Sequence, residues 1–388
     1  MNFANAGIPV ILLDISEEAI ARGLALVERN YSISVKKGKM SDGQMTQSLS
    51  LIQTSTQYDD LAQCDLVIEA VFENLALKQQ VFTTLDKHCK QGAILATNTS
   101  YQDIDQIASA TDRPQDVIGL HFFSPANIMK LLEVVRGDKT AKDVINTAMD
   151  LAKKINKVAV LSGNCYGFIG NRMLRPYGRE AGLCLIEGAS PEQIDGVMQD
   201  WGMAMGPMAV GDLAGLDIGY KAREGLSPAD KGDPKSYCVA DVLVEQGRLG
   251  QKSGAGYYQY DKDTRARMSD PLVMDIVESK ALELNVTRRK ISNEEILKRL
   301  TFAWINEGAH ILGEGIAQSP RDIDTVYTFG YGFPKSLGGP MQYADSLGLH
   351  TVYQTICEFQ KTLNDENWEP APLLKRLALS GETFDTLN

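Results

Sequence analysis

Gly119-Leu120-His121-Phe122-Phe123-Ser124-Pro125-Ala126-Asn127-Ile128-Met129-Lys130-Leu131-Leu132-Glu133-Val134-Val135 holds two apolar runs on either side of Ser-Pro-Ala-Asn. Apolar runs of this length bounded by turn residues read as buried strands, here Val117 to Phe123 and Met129 to Val135. One short connection therefore returns the chain beside itself, with His121 near the end of the first strand and Glu133 inside the second. An imidazole and a carboxylate in one apolar neighbourhood suit a general base and the group that orients it. A core histidine salt-linked to a core glutamate would satisfy the same residues, because a buried carboxylate needs some partner.

Upstream, strands alternate with helices. Met1 to Ala6 reads as the tail of a helix stopped by Gly7 and Pro9, and Val10-Ile11-Leu12-Leu13 as a strand ending in Asp14. Helical spacing then runs from Ser16 to Ser34 and closes on Lys36, Lys37 and Lys39, either a solvated helix end or a landing site for phosphates. Cys64 to Val71 is a strand, Glu73 to Lys90 a helix, and Ala93 to Ala96 a strand that closes on Thr97-Asn98-Thr99-Ser100. This alternation predicts a parallel sheet whose ligands gather at the carboxyl ends of its strands. Asp14, Glu73, Asn98, Ser100 and His121 all fall at such ends. Asp14 stands where a dinucleotide-binding unit keeps its ribose acceptor, though it could equally cap the next helix in competition with Ser16. The first strand and glycine-rich turn of such a unit would lie just before Met1.

Lys157 to Leu161 reads as the last strand of this domain and Ser162-Gly163-Asn164 as a hinge. Beyond it the pattern is helical, and it repeats. Glu187-Gly188, Ser190-Pro191-x-x-Ile194-Asp195 and Pro207-Met208-x3-Asp212-x-x-Gly215-Leu216 recur as Glu314-Gly315, Ser319-Pro320-x-x-Ile323-Asp324 and Pro340-Met341-x3-Asp345-x-x-Gly348-Leu349. Helix capping alone explains the residue types but not the shared spacing, so two copies of one helical domain are expected. Gly225 to Ser236 is a polar loop, and Gly250 to Tyr258 a glycine-punctuated turn carrying Lys252.

Composition narrows the classes. A chain of 388 residues is too long for one ordinary domain, and 44% hydrophobic residues suffice for full cores. A net charge of −11 argues against a nucleic-acid partner, so an anionic ligand must meet local positive groups. Cys64, Cys89, Cys165, Cys184, Cys238 and Cys357 show no paired short spacing, which argues against a zinc site and a disulfide framework. No metal is expected. No stretch approaches the ~20 apolar residues of a membrane span, no secretory signal opens the chain, and Asp385-Thr386-Leu387-Asn388 is not a peroxisomal address. A cytoplasmic protein without membrane insertion is expected.

Taken together, Asp65-Leu-Val-Ile-Glu-Ala-Val-Phe-Glu73, Asn98-Thr-Ser100, His121-Phe-Phe-Ser-Pro125, Gly167-Phe-Ile-Gly-Asn171-Arg172 and Gly250-Gln-Lys252-Ser-Gly254 resemble the 3-hydroxyacyl-CoA dehydrogenases. The resemblance runs the length of the chain. It is strongest to the dehydrogenase half of the multifunctional fatty-acid β-oxidation enzymes, which also carry an enoyl-CoA hydratase. It implies a Rossmann-type doubly wound α/β sheet, without its first strand and Gly-rich turn, followed by two all-α repeats like those of 6-phosphogluconate dehydrogenase. The implied domains are 1–163, NAD-binding; 164–290, the first helical domain; and 291–388, the second repeat.

The implied activity is NAD-dependent oxidation of (3S)-3-hydroxyacyl-CoA to 3-oxoacyl-CoA. The family's catalytic pair falls on His121 and Glu133, with Ser100 and Asn171 around the substrate's 3-oxygen and thioester. Asp14, Glu73, Lys78, Asn98, Ser100, Ser124 and Lys252 fall on cofactor contacts. Many single-function members have Asn where this chain has Ser124, and other multifunctional ones have Ser. Lys36, Lys37 and Lys39 would meet the acyl-CoA phosphates. The second copy, which lacks a counterpart of Asn171, would be structural and take the place of a dimer partner, giving a monomer with an internal pseudo-dimer. A hydratase domain would precede this chain in a longer protein. The rival expectations are an inactive member with a structural or acyl-CoA-binding role, an unrelated hydroxyacid dehydrogenase, and an inert fragment.

Overall fold

The structure is a computed structural model that describes residues 1–224, 226–227 and 231–388. Of the polar loop expected over Gly225 to Ser236, positions 225 and 228–230 lie outside the described residues, and Pro234–Ser236 form a 3-10 turn. The chain divides into two compact units. One is Met1–Ile169 with Gly315–Gln318, and the other is Gly170–Glu314 with Ser319–Asn388.

The first unit is α/β. Its strands are β1 (Val10–Leu13), β2 (Ile52–Ser55), β3 (Leu66–Glu69), β4 (Ile94–Thr97), β5 (Val117–Phe122), β6 (Leu131–Arg136) and β7 (Val158–Gly163). They form two sheets, β1-β2 and β3-β4-β5-β6-β7, parallel throughout except for the antiparallel β5–β6 pair. Among the described residues no strand joins the two sheets, so β1 and β3 each keep an open edge. All of β1 and the first three residues of β3 are accordingly only half-buried, whereas β4 is buried throughout. Strand β2 was not legible in the sequence. Its Ile-Gln-Thr-Ser has no apolar run, and it pairs at an edge that needs none.

Side-chain alternation builds two cores. Leu95, Val117 and Val135 pack with Phe82, Leu85 and Phe168 on one face. Ala96, Ile118 and Val134 pack with Val144 and Ala148 on the other. His121 and Glu133 continue the parity of the first face. Helices are placed by local caps: Ser16 Oγ accepts from the Ala19 N–H at 3.2 Å to start Glu17–Lys36, and Asn74 Oδ1 from Leu77 N–H at 2.9 Å to start Leu75–His88. A short return tethers this unit's end. The Gly163 N–H donates to Ile316 O at 2.8 Å, and Ser162 bridges Ala317.

The second unit is helical except for one short antiparallel pair, Gln259–Tyr260 with Arg267–Met268, that the all-α expectation lacked, and it shows why the sequence repeats. Asp195 accepts from the N–H groups of Met208 (2.9 Å) and Ala209 (3.0 Å), which open the helix Pro207–Ala214. In the other copy Asp324 does the same for Met341 (2.7 Å) and Gln342 (3.2 Å), opening Pro340–Leu347. The second aspartate of each block, Asp212 or Asp345, accepts two further backbone N–H groups. Each repeated spacing thus sets a carboxylate against unsatisfied donors. The two copies, expected over 164–290 and 291–388, share this one unit. Their long helices, Gly170–Glu187 and Asn293–Gly313, pack through the stacked rings of Tyr177 and Trp304 (4.1 Å, 11°) and the buried bonds from Arg299 to Glu180 (2.8 Å) and Glu187 (2.7 Å).

Asp324 carries a pH signature. Burial pushes its carboxyl up to about 7, against the pull of the Met341 and Gln342 N–H groups. Asp195 has the added support of the Tyr258 hydroxyl and Arg267. Among the described residues Asp324 has no such help. Between an unfolded pKa of about 3.9 and the folded value of about 7, the folded chain holds a proton that the unfolded chain has lost. Its contribution to stability therefore falls as pH rises through that window. Asp324→Asn is expected to flatten the dependence of urea-unfolding stability on pH there, by up to ~1.4 kcal/mol per pH unit. An unchanged slope would show that Asp324 is ionised throughout.

Candidate active site

The antiparallel register sets His121 directly opposite Glu133, which puts both side chains on one face. His121 Nδ1 lies 2.7 Å from Glu133 Oε2, and the two residues are 5% and 0% exposed. The other carboxylate oxygen accepts the Ile169 N–H at 3.2 Å. Phe123 and Phe168 close around the imidazole, with ring centroids at 4.6 and 5.7 Å. A carboxylate on Nδ1 fixes the tautomer with Nδ1–H, so Nε2 is the basic atom, and it has no hydrogen-bond partner among the described residues. Asn98, at the end of β4, accepts the Phe122 N–H through Oδ1 at 2.9 Å and so ties the neighbouring strand end to the histidine.

Glu73 organises the loop after β4. Its Oε1 accepts from the Thr99 hydroxyl (2.5 Å) and from the N–H groups of Ser100 and Tyr101 (both 2.9 Å), and Lys78 Nζ lies 3.4 Å from Oε2. Burial works against its charge. The Thr99 hydroxyl, Lys78 and the two backbone donors outweigh that and hold the carboxyl below its usual range. Glu73 thus fixes the position of half-buried Ser100. Lys78 sits beneath, 1% exposed, with Nζ 2.8 Å from Glu69, whose carboxylate also accepts from the Thr97 hydroxyl and Val71 N–H.

The remaining expected residues are spread more widely. Ser16 takes the helix cap, which leaves the Asp14 carboxylate exposed at the end of β1, where among the described residues it accepts from its own neighbour Ile15 N–H at 2.7 Å. Ile15 and Phe72, just past the ends of β1 and β3, are 93% and 87% exposed. Ser124 is exposed in the turn after β5. Lys36, Lys37 and Lys39 are exposed at the far end of a twenty-residue helix, about 30 Å from its Asp14 end. Lys252 and Asn171 belong to the second unit. Lys252 ion-pairs there with Asp217, and Asn171 Oδ1 accepts from the Tyr331 hydroxyl at 2.8 Å.

Residues 1–165 match the family model for the NAD-binding domain of 3-hydroxyacyl-CoA dehydrogenase, and residues 167–260 and 296–385 match that for its C-terminal domain. The chain belongs to the 3-hydroxyacyl-CoA dehydrogenase family. The peroxisomal bifunctional enzyme of Danio rerio is 44% identical over 396 residues, 98% of this chain and 54% of that protein. The chain therefore spans about half the length of the curated relatives it matches. Among solved structures, 3-hydroxybutyryl-CoA dehydrogenase from Escherichia coli K12 superposes with a TM-score of 0.82 at 27% identity, covering 98% of this chain and 95% of that one. The dehydrogenase part of multifunctional enzyme 1 from C. elegans gives 0.69 at 28% identity, covering 97% and 85%.

In this member of the 3-hydroxyacyl-CoA dehydrogenase family, three contacts of the expected residues escaped the sequence reading. Glu69 had a signal: a carboxylate inside Leu-Val-Ile-Glu-Ala-Val needs a buried cation, and Lys78 follows one helical turn into the next element. The rings beside His121 had a weaker one in Phe123. Tyr331 had none, since it reaches Asn171 across 160 residues.

Proposed function

We propose that this chain oxidises (3S)-3-hydroxyacyl-CoA to 3-oxoacyl-CoA with NAD, as the dehydrogenase portion of a β-oxidation enzyme. The observation that carries this reading is the buried His121–Glu133 pair, whose Nε2 has no partner among the described residues. NAD suits the first unit by the exposed Asp14 carboxylate, an acceptor for ribose hydroxyls, and by the exposed Ile15 and Phe72 surfaces, which offer apolar cover to a flat ring. When bound, it supplies the acceptor for the hydride. The chain's own residues do the rest. His121 Nε2 takes the hydroxyl proton as the carbonyl forms, and Glu133 stabilises the resulting imidazolium. Asn171 and Ser100 offer neutral donors to the substrate oxygens.

NADH formation from (3S)-3-hydroxybutyryl-CoA, and its consumption with acetoacetyl-CoA, tests the proposal. Acyl-CoA binding without turnover in either direction would favour a binding role instead. The relatives' names point to peroxisomes and glyoxysomes; no described helix is long and apolar enough to cross a membrane. A hydratase domain joined to this one accords with relatives about twice its length. We assign the chain as a monomer, because the two helical copies already bury their long helices against each other. Light scattering should give one chain mass, and twice that mass would overturn the assignment.

A further inference from the structure

The second helical copy contributes more than packing. Its helix Pro320–Gly330 and the residue after it carry Tyr327 and Tyr331, whose rings stack at 4.9 Å and 19°. Both hydroxyls reach the first turn of the long helix that opens with Gly170 and Asn171. Tyr327 donates to Gly170 O at 3.3 Å, and Tyr331 donates to Asn171 Oδ1 at 2.8 Å. The ring of Tyr331 rests on Gly170 itself, where an added Cβ would lie 2.5 Å from Cε2, so the close approach depends on that glycine. Tyr327 is in turn held edge-on by Trp304 at 5.2 Å and 68°, which leaves the tyrosine pair little freedom.

An amide side chain has one acceptor oxygen and one donor nitrogen on opposite sides of a single rotatable bond. A hydroxyl that donates to Oδ1 therefore decides where Nδ2 points. Asn171 Nδ2 has no hydrogen-bond partner among the described residues. We propose that Tyr331 is a positioning residue of the dehydrogenase: it holds Asn171 so that the Nδ2–H donor, and not the oxygen, is presented to the substrate carbonyl. The inference rests on the substrate role given to Asn171 above. Without the hydroxyl the amide is free to turn its oxygen toward the carbonyl, which replaces an attraction with a repulsion.

Tyr331→Phe keeps the ring, its stacking on Tyr327 and its fit against Gly170, and removes only the hydroxyl. It is expected to lower kcat/KM for acetoacetyl-CoA by about 3- to 10-fold, the range of one neutral hydrogen bond, with NADH affinity and thermal midpoint unchanged. In the Asn171→Ala background the same substitution should have no further effect, because the residue it positions is gone. Equal effects in both backgrounds, or a Tyr331→Phe enzyme as active as the parent, would overturn the proposal while leaving the dehydrogenase reading intact. A parent chain that neither turns over nor binds acetoacetyl-CoA would defeat that reading, and this inference with it.

Discussion

Replacing His121 by Gln is expected to lower kcat for 3-hydroxyacyl-CoA oxidation by about 10²- to 10⁴-fold, the usual span of acid–base assistance. Acyl-CoA affinity should stay within a few-fold, since Nε2 acts on one proton and supplies no major contact. Glu133→Gln should be milder, ~10²-fold. The amide keeps the shape, and its oxygen can still face Nδ1–H, but the negative charge that stabilises the imidazolium is gone. Steady-state kinetics on both variants decides the matter. Near-normal kcat in either would return the pair to the rank of a core salt link.

The second large effect is on stability, and it falls on a residue that the family resemblance puts beside the cofactor. Lys78 and Glu69 have side chains 1% exposed, 2.8 Å apart. Lys78→Met leaves Glu69 with the Thr97 hydroxyl and Val71 N–H but no buried cation. Stranding one partner of a buried pair costs about 3–5 kcal/mol, a large share of the ~5–15 kcal/mol that holds a domain together. Glu69→Gln in the same chain should recover most of the loss, because the amide needs no counter-charge. Denaturant unfolding reads both. A Lys78→Met protein of parental stability whose NAD affinity has dropped tenfold would instead make Lys78 a direct cofactor contact.

Such contacts divide the site into parts that can be read along the chain and parts that cannot. His121 and Glu133 were legible because twelve residues separate them across a single turn, and two apolar runs so connected pair with few alternatives. Asp14 was legible as a strand-end acid, but whether it or Ser16 capped the helix depended on backbone angles. The structure gives the cap to Ser16. Glu73 was expected to meet the cofactor. Its carboxylate accepts from Thr99, Ser100 and Tyr101 and faces Lys78, so it also shapes the loop that holds Ser100.

The sequence by itself determined the α/β alternation of the first unit, the hairpin that carries His121 and Glu133 and the existence of two helical copies. Each of these is written in local periodicity or in a fixed spacing between an aspartate and the helix it caps. Only the tertiary structure decided that Tyr331 of the second copy lies on Asn171 of the first and that Ile316 returns to Gly163. Those pairings join residues up to 160 positions apart. No local pattern encodes them, because the free energy of such a contact depends on which surfaces the rest of the fold has already brought together.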